Sequence, residues 1–328
     1  MKKIDNFKNL KESLNGPVQT IFVPFNSKLN IDYFALKKHI KILCSLNYVK
    51  CLYLMPYNGR YSQLSENEVF ELNKFCIKQV KKKGKLIIVS DPIHASTETK
   101  LKFCLHAKKN GADLFSSIFR EKYFSDEQVF LHYKKIASSN MPILVHLMPF
   151  LSGYDGSNMN WKHSTLTKLS TIKNIIAIKE DTKSLKFGKT ILKKFKKKFH
   201  IIFAGRKKLI LSLKKSGLTS YLNGTSVIDP EIDNIFWTLF KINTKKAEKF
   251  VEQIDDPFWD NLSSKYGWHR LNKACLEING IMKRYERLPM IALNKSEYND
   301  VNSKILIIKK RLHNWKKNFI LKLLNNNL

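Results

Sequence analysis

The sequence predicts an α/β protein, a (β/α)8 TIM barrel followed by a C-terminal helical domain. Short apolar runs recur at intervals of roughly 20 to 35 residues, and amphipathic segments of helical length lie between them. The apolar runs do not alternate apolar with polar residues, which is typical of strands buried on both faces of a parallel sheet. Eight such strand–helix units are the number that closes a barrel of this class.

The predicted strands follow one another in the order of the chain. They are VQTIFVPF (18–25), VKCLYLM (49–55), KLIIVSD (85–91), ADLFSSI (112–118), PILVHLM (142–148), IIAIKED (175–181), HIIFAG (200–205) and LTSYLNG (218–224). An open doubly wound sheet is the competing fold. That fold is expected to have a glycine-rich turn after its first strand, whereas the turn VPFNSKLN contains no glycine.

Local signals mark the helices between these strands. The helix after the second strand begins with Ser65 and Glu68, a capping box in which each side chain satisfies a free backbone N–H group. The next helix begins at Ser96 and ends at Gly111, and the lysines of its last turn complement the helix dipole. These signals favour regular strand–helix alternation.

The C-terminal part of the chain has a different pattern. Past residue 230 the strand pattern stops, and long segments with helical periodicity follow. We therefore predict a polar N-terminal segment at 1–17, a barrel at 18–230 and a C-terminal helical domain at 231–328.

The charge of the chain raises the question of a nucleic-acid partner. The formal net charge is +32, yet arginine, the residue that reads phosphates and bases with paired hydrogen bonds, stands at only seven positions. The lysines are spread over every predicted helix, as on solvated faces. We therefore expect no specific nucleic-acid partner. A lysine-rich nucleic-acid binder remains a third hypothesis, and it predicts salt-sensitive binding to duplex DNA or RNA.

Other bulk features predict a cytoplasmic protein. No apolar run approaches the roughly 18 residues that cross a bilayer, so we expect no membrane partner. The polar start of the chain lacks the apolar centre of a signal peptide. The five cysteines are odd in number and lack metal-site spacing, which favours reduced, buried thiols and no metal.

Lys179 is the residue that most directly suggests a chemistry. It lies at the end of the sixth predicted strand, and catalytic groups of such barrels lie at the C-terminal ends of the strands. Loss of water around a lysine favours the neutral amine, which attacks a ketone or aldehyde to form a Schiff base. The alternative is that Lys179 only forms an ion pair with Glu180 or Asp181.

In their order and spacing the predicted strands and the loops that follow them resemble the dihydrodipicolinate synthase and N-acetylneuraminate lyase family of class I aldolases. The resemblance covers about residues 17 to 290 and rests on VPF (23–25), NGRYSQLSENE (58–68), PILVHLMP (142–149), IIAIKEDT (175–182), AG (204–205) and CLEINGIMKRYERLPM (275–290). It implies a barrel with a C-terminal helical domain and a Schiff base on Lys179. It also implies no metal or organic cofactor, and a homo-oligomer, either a tetramer or a dimer.

The loop after the second strand differs from the family pattern. The family has a Gly-Thr/Ser-Thr-Gly-Glu loop that holds the substrate carboxylate, whereas this chain has PYNGR. The resemblance assigns Tyr57, Asn58 and Arg60 to substrate binding. Asn58 can donate a hydrogen bond to a carboxylate, and Arg60 is positive where the family residue is negative.

Two proton-relaying tyrosines of the family are also replaced. The strand-five tyrosine corresponds to His146, whose imidazole can act as general acid or base near neutral pH. The alternative for His146 is a satisfied core histidine among apolar neighbours. The second tyrosine corresponds to Arg120 and Glu121, with Tyr123 close by.

Basic residues follow Gly205 at the end of strand seven, where the family has an acidic Gly-Asp. Arg206 is predicted to lie near the barrel mouth and, with Arg60, to favour an anionic substrate. Lys207 is expected to face solvent. Asn223, in the turn after strand eight, is a further candidate for substrate contact.

The leading hypothesis is a Schiff-base lyase or aldolase that acts on an anionic 2-oxo acid or sugar-acid derivative by cleavage, condensation or dehydration. Lys179 is the predicted nucleophile and His146 the predicted proton shuttle. The alternative is a catalytically degenerate or regulatory homologue that kept the fold and lost the reaction, which the changed loop and missing tyrosines favour.

Overall fold

The structure is a computed structural model that describes residues 6–120, 125–148, 162–182 and 184–325. The chain divides into two compact units. Unit 1 comprises Met1–Ile21, Ile40–Gly205 and Leu213–Leu222, and unit 2 comprises Phe22–His39, Arg206–Ser212 and Asn223–Leu328.

Unit 1 contains a closed barrel whose eight strands pair in sequence order. All pairs are parallel, and β1 closes the barrel by pairing with β8, so the predicted (β/α)8 fold is confirmed. The strands are β1 Gly16–Thr20, β2 Cys51–Leu54, β3 Leu86–Ser90, β4 Leu114–Ser117, β5 Ile143–Leu147, β6 Ile175–Glu180, β7 His200–Phe203 and β8 Ser220–Leu222.

The first strand differs most from its predicted range. It begins at Gly16, whose N–H group donates to the carbonyl of Thr219, and it ends at Thr20. The residues that follow, up to Phe25, are buried but do not belong to the strand. Their burial alone explains the apolar run that suggested a longer strand.

Helices alternate with the strands as predicted. They are α1 Asn6–Ser13, α2 Tyr33–Ser45, α3 Glu66–Lys81, α4 Thr97–Lys109, α5 Asp126–Ala137, α6 His163–Leu169, α7 Leu185–Phe195 and α8 Lys207–Ser212. The capping box of α3 is confirmed, because the Glu68 N–H donates to the Ser65 hydroxyl at 3.3 Å and the Ser65 N–H donates to the Glu68 carboxylate at 3.0 Å. Ser96 caps α4 in a similar way, accepting from the N–H of Thr99 at 3.2 Å.

The interior of the barrel is apolar over most of its length. Its buried cluster contains Val18, Leu114, Leu144, Ala177 and Ile202 from five different strands, and Phe7 and Leu10 of α1 pack against it. Because side chains alternate across a strand, the residues two positions beyond Leu144 and Ala177 also face the interior. Those residues are His146 and Lys179.

Unit 2 is largely helical. Beyond residue 230 it contains α9 Glu231–Ile242, α10 Thr244–Phe250, α11 Asp256–Phe258, α12 Ser264–Tyr266, α13 Trp268–Ile278 and the long α14 Lys295–Asn325, with π-helical turns on both sides of α11. None of the helices within the described ranges combines the length and apolarity that a membrane span requires. All five cysteines are buried and free, as predicted.

Candidate active site

A layer of polar side chains lies near the C-terminal ends of the barrel strands. Tyr53, Ser116, His146 and Lys179 are each the next-to-last residue of their strands, which are β2, β4, β5 and β6. All four are buried, with exposed fractions of 1% or less. The barrel therefore places four polar groups at one level, above its apolar interior.

Lys179 lies within hydrogen-bond distance of two groups. Its Nζ is 2.7 Å from Nε2 of His146, and it donates to Oδ2 of Asp181 at 2.9 Å. Lys179 and His146 are also register partners in the β5–β6 ladder. The two predicted catalytic residues are thus in direct contact, and the ion pair with Asp181 that the alternative interpretation named is present as well.

The hydrogen bonds continue from His146 across the barrel. Since Lys179 donates to Nε2, the ring proton is assigned to Nδ1, which lies 3.4 Å from the hydroxyl of Tyr53. That hydroxyl is 2.6 Å from the hydroxyl of Ser116. A chain of polar groups therefore connects Asp181, through Lys179, to strand β4.

Burial and charge set the ionisation of the groups around Lys179. Burial, reinforced by the charge of Lys179, lowers the pKa of His146 to about 4, so the imidazole is neutral at pH 7. Burial acts to raise the pKa of Asp181, but Lys179 and His146 outweigh it and lower this pKa to about 2. At neutral pH the layer therefore contains a neutral imidazole and an ionised carboxylate.

Glu180 lies on the opposite side of β6 by strand alternation. Its Oε1 accepts from the backbone N–H of Thr182 at 2.7 Å and from the Thr182 hydroxyl, while Oε2 is buried and has no hydrogen-bond partner among the described residues. Burial raises the pKa of Glu180 to about 7. Adjacent carboxyl groups on the two faces of one strand thus ionise very differently.

Sequence reasoning missed Tyr53 and Ser116 as members of this layer. The signal was available, because Tyr53 alternates with Cys51 and Met55, and all three belong to the buried interior cluster. Ser116 alternates with Leu114 in the same way. A polar residue two positions beyond an interior apolar residue marks this level in strands β2, β4, β5 and β6.

The loop after β2 presents the predicted substrate-binding residues Asn58 and Arg60. The carboxamide of Asn58 is fully buried, and neither its oxygen nor its nitrogen has a hydrogen-bond partner within the described ranges. Arg60 is 2% exposed, has a left-handed backbone with φ 58°, and donates from Nη1 to the carbonyl of Tyr57 at 3.0 Å. A Cβ at Gly59 would lie 2.8 Å from the carbonyl oxygen of Met55, so this tight loop requires glycine there.

Tyr57 and Arg120 lie near this loop and the charged layer. Burial raises the pKa of Tyr57, and the charges of Arg120 and Asp181 act on the same phenol in opposite directions. The guanidinium of Arg120 also contacts the ring of His94. Of the other residues singled out from the sequence, Glu121, Tyr123 and Pro149 lie outside the described residues.

The remaining candidates belong to unit 2. Arg206 donates to Asp256 at 2.6 Å and to Asp260 at 2.6 and 3.0 Å, so its charge is already paired there. Asn223 is buried, with 6% of its surface exposed. The roles of Arg206 and Asn223 in substrate binding remain predictions.

The expectation that Lys207 faces solvent is wrong. Its side chain is 2% exposed, and its Nζ lies 2.9 Å from Asp233 and 3.7 Å from Asp255. Burial would lower its pKa, but the two carboxylates outweigh burial and raise it. The lysine is internal because two buried carboxylates compensate its charge, which the local sequence does not reveal.

No group of three or more histidine, cysteine, aspartate or glutamate side chains within the described residues is arranged to hold a metal ion. The polar layer has instead the composition of an amine-based site: a buried lysine, a neutral imidazole and a carboxylate in mutual contact. Such a set can form and hydrolyse a covalent bond to a carbonyl compound.

Comparison with known proteins gives a consistent result. The model of the dihydrodipicolinate synthetase family matches residues 13–308. The 4-hydroxy-tetrahydrodipicolinate synthase of Karelsulcia muelleri (strain GWSS) is 25% identical over 300 residues, which cover 88% of this chain and 98% of the relative.

Solved structures show the same fold. The 4-hydroxy-tetrahydrodipicolinate synthase of Methylacidiphilum fumariolicum SolV has a TM-score of 0.81 at 22% identity, covering 92% of this chain and 98% of its own. A prophage protein of this family from E. coli K12, solved in complex with pyruvate, has a TM-score of 0.77 at 16% identity. The match covers 90% of this chain and 98% of the prophage protein.

Proposed function

This chain belongs to the dihydrodipicolinate synthetase family, and we propose that it forms a Schiff base between Lys179 and an anionic 2-oxo acid or sugar-acid derivative. Family membership supports an aldolase-type lyase and does not favour the catalytically degenerate alternative. The compound and the reaction type (cleavage, condensation or dehydration) are not assigned by relatives at this level of identity.

The contact between Lys179 and His146 carries the proposal. A buried lysine at the C-terminal end of a barrel strand, 2.7 Å from an imidazole that is neutral at pH 7, is a nucleophile beside a proton acceptor. In an ordinary core position a lysine would be held only by carboxylates and backbone carbonyls. Here the imidazole adds a group that can move protons.

The proposed reaction transfers two protons from Lys179 to the carbonyl oxygen of the substrate. His146 first takes one proton from the ammonium, and the lone pair of the amine forms the C–N bond as the carbonyl electrons move to oxygen. His146 returns the proton to that oxygen and then passes it a second proton from nitrogen. The C–O bond breaks, water leaves, and the nitrogen remains as an iminium that draws electrons from the adjacent carbon–carbon bond.

Asn58 and Arg60 support an anionic substrate. The unsatisfied carboxamide of Asn58 is an unfavourable feature unless a ligand supplies the missing hydrogen bonds. Arg60 brings a buried guanidinium to the same loop, and arginine binds carboxylates with two parallel hydrogen bonds. We assign Tyr57, Asn58 and Arg60 to substrate binding, and Arg206 and Asn223 remain candidates for it.

The test is chemical trapping. The protein is incubated with borohydride and, in turn, pyruvate, 2-oxobutyrate, 2-oxoglutarate and 2-oxoadipate, and its intact mass is measured. We expect a stable adduct with at least one of them, located by peptide mapping at Lys179 and absent from Lys179→Ala. Trapping that persists in Lys179→Ala would overturn the assignment of the nucleophile.

Two further parts of the proposal concern the setting of the enzyme. We propose that it works in the cytoplasm as a homo-oligomer, a tetramer or a dimer, without a metal or organic cofactor. Light scattering during size-exclusion chromatography tests the oligomer. Trapping in the presence of a chelator tests independence from metal ions.

A further inference from the structure

Asp181 is the charged neighbour of Lys179, and the proton transfers described above leave it without a role. Its carboxylate lies 2.9 Å from the Nζ of Lys179 and 3.9 Å from Nε2 of His146. It follows β6 directly, so its side chain returns to the interior face that Lys179 occupies. The structure therefore has a buried anion in contact with the atom that would become the Schiff-base nitrogen.

The charge on that nitrogen is the same before and after Schiff-base formation. Lys179 begins as an ammonium paired with Asp181. Two of its protons leave with the water molecule, and the third stays on the iminium, which again carries one positive charge. A carboxylate placed to pair with the ammonium is therefore placed to pair with the iminium.

Resting on the proposed function, we propose that Asp181 is the counter-ion of the protonated Schiff base on Lys179. A buried cation without a partner is strongly unfavourable, and an unpaired iminium in this layer would release its proton to reach neutrality. A neutral imine withdraws electrons poorly. Asp181 thus keeps the intermediate in the form that can cleave or make the adjacent carbon–carbon bond.

Glu180 provides the internal comparison for this assignment. It is buried and adjacent in sequence, but its carboxyl group interacts with Thr182 on the other face of the strand. Its pKa is raised to about 7, whereas that of Asp181 is lowered to about 2. Of these two carboxyl groups, only that of Asp181 is both ionised and in contact with Lys179.

If Asp181 is the counter-ion, replacing it should affect Schiff-base formation and the following exchange of C3 hydrogens differently. Borohydride trapping measures formation of the Schiff base, whereas exchange of the C3 hydrogens of the 2-oxo acid in D₂O, followed by proton NMR, requires the protonated form. The probe is pyruvate or, if pyruvate gives no adduct, whichever of 2-oxobutyrate, 2-oxoglutarate and 2-oxoadipate does.

In Asp181→Asn we expect trapping to persist and the exchange rate per trapped adduct to fall about 100-fold, the scale seen when one stabilising group around a developing charge is removed. Asp181→Glu should keep most of the exchange, and Glu180→Gln should match the wild type in both assays. Thermal unfolding of each variant reports whether it is folded.

The outcomes are distinguishable. If the wild type gives no adduct with any of the four acids, the proposed function fails, and the counter-ion fails with it because there is no Schiff base to pair. An adduct in the wild type together with undiminished exchange per adduct in folded Asp181→Asn overturns the counter-ion alone. If Asp181→Asn does not fold, Asp181→Ser takes its place: a similar fall in exchange per adduct supports the counter-ion, and an undiminished rate in the folded variant overturns it.

Discussion

Two buried lysine–aspartate pairs in unit 1 have the same length and different surroundings. Lys100 and Asp91 lie between the barrel wall and α4, and Lys179 and Asp181 lie inside the barrel, with 2.9 Å between nitrogen and oxygen in both. The lysine side chains are 3% and 1% exposed. Ion-pair geometry and burial alone do not distinguish them.

Their other hydrogen bonds do distinguish them. Besides Asp91, Lys100 donates to the carbonyls of Ile93 at 3.4 Å and Ile118 at 2.9 Å, which gives an acceptor for each of its three N–H groups. Lys179 has Asp181 and the imidazole of His146, and only these two acceptors occur within the described part of the chain. A saturated ammonium is a structural cation, whereas one held by a proton-accepting ring can be deprotonated. The comparison therefore supports the proposal that Lys179, and not Lys100, is the nucleophile.

The largest expected effect comes from replacing each lysine with arginine, which keeps the charge and removes the nucleophilic amine. Lys179→Arg should lose adduct formation completely in the borohydride assay. Lys100→Arg, the matched control, should keep the adduct at or near the wild-type level if it folds. A normal adduct in Lys179→Arg would place the reactive lysine elsewhere.

Replacing each lysine with methionine should affect stability in the opposite order. Lys100→Met should lower the stability strongly and leave adduct formation unchanged. Asp91, whose side chain is 1% exposed, would be left as an uncompensated buried charge, and breaking such a pair typically destabilises by about 3 to 5 kcal/mol. Lys179→Met should cost less, because the Asp181 side chain is 11% exposed and can gain water. Urea unfolding measures the free energy of unfolding of both variants. Equal losses of stability would contradict the distinction between a structural and a reactive lysine.

Glu180 extends the comparison to a buried carboxyl that is not paired with a lysine. Its pKa is raised from 4.5 to about 7, so the folded protein holds a proton that the unfolded chain releases between these pH values. The associated stability is present below about pH 4.5 and falls by roughly 3 kcal/mol as the pH rises through 7. Glu180→Gln should remove this fall in urea unfolding measured from pH 4.5 to 8. Parallel curves for wild type and variant would mean that Glu180 is already ionised.

His146 is the residue that makes the Lys179 pair chemically different from the Lys100 pair. His146→Gln keeps a polar side chain near Lys179 but cannot relay protons. Loss of a general acid–base group typically slows a reaction at least about 100-fold, and we expect that reduction in the rate of trapping. The amount of adduct after long incubation should change little. A variant that traps at the wild-type rate would assign proton transfer to another group.

The sequence predicted the barrel well because its signals are local. The eight apolar runs and the Ser65–Glu68 capping box each report their own element. Lys179 was singled out because it ends an apolar strand of the predicted barrel, and His146 because it stands where the related family has a tyrosine. The sequence could not show that Lys207 is internal, since Asp233 and Asp255 lie far from it in the chain. The sequence named Asp181 only as one of two possible ion-pair partners of Lys179, and it left Tyr53 unnoticed.

Replacing Tyr53 should have the smallest effect of these substitutions. It tests whether the polar groups beyond His146 contribute to the reaction. Its hydroxyl lies 3.4 Å from Nδ1 of His146 and 2.6 Å from Ser116, so it holds the far side of the imidazole that faces Lys179. Tyr53→Phe removes both the long contact with His146 and the shorter hydrogen bond to Ser116. A loss of about 1 kcal/mol at the imidazole corresponds to about a five- to tenfold slower exchange of C3 hydrogens. The adduct should be retained.

Tyr133 is the matched control, because its buried hydroxyl donates to the carbonyl of Ser117 at 2.9 Å, outside the polar layer. Tyr133→Phe loses a comparable hydrogen bond and should lower stability without slowing exchange. Equal slowing in the two variants would mean that the loss is one of general packing. Slowing in Tyr53→Phe alone would show that the hydrogen-bonded chain beyond His146 matters for the chemistry, because only that hydroxyl faces the ring that moves the protons.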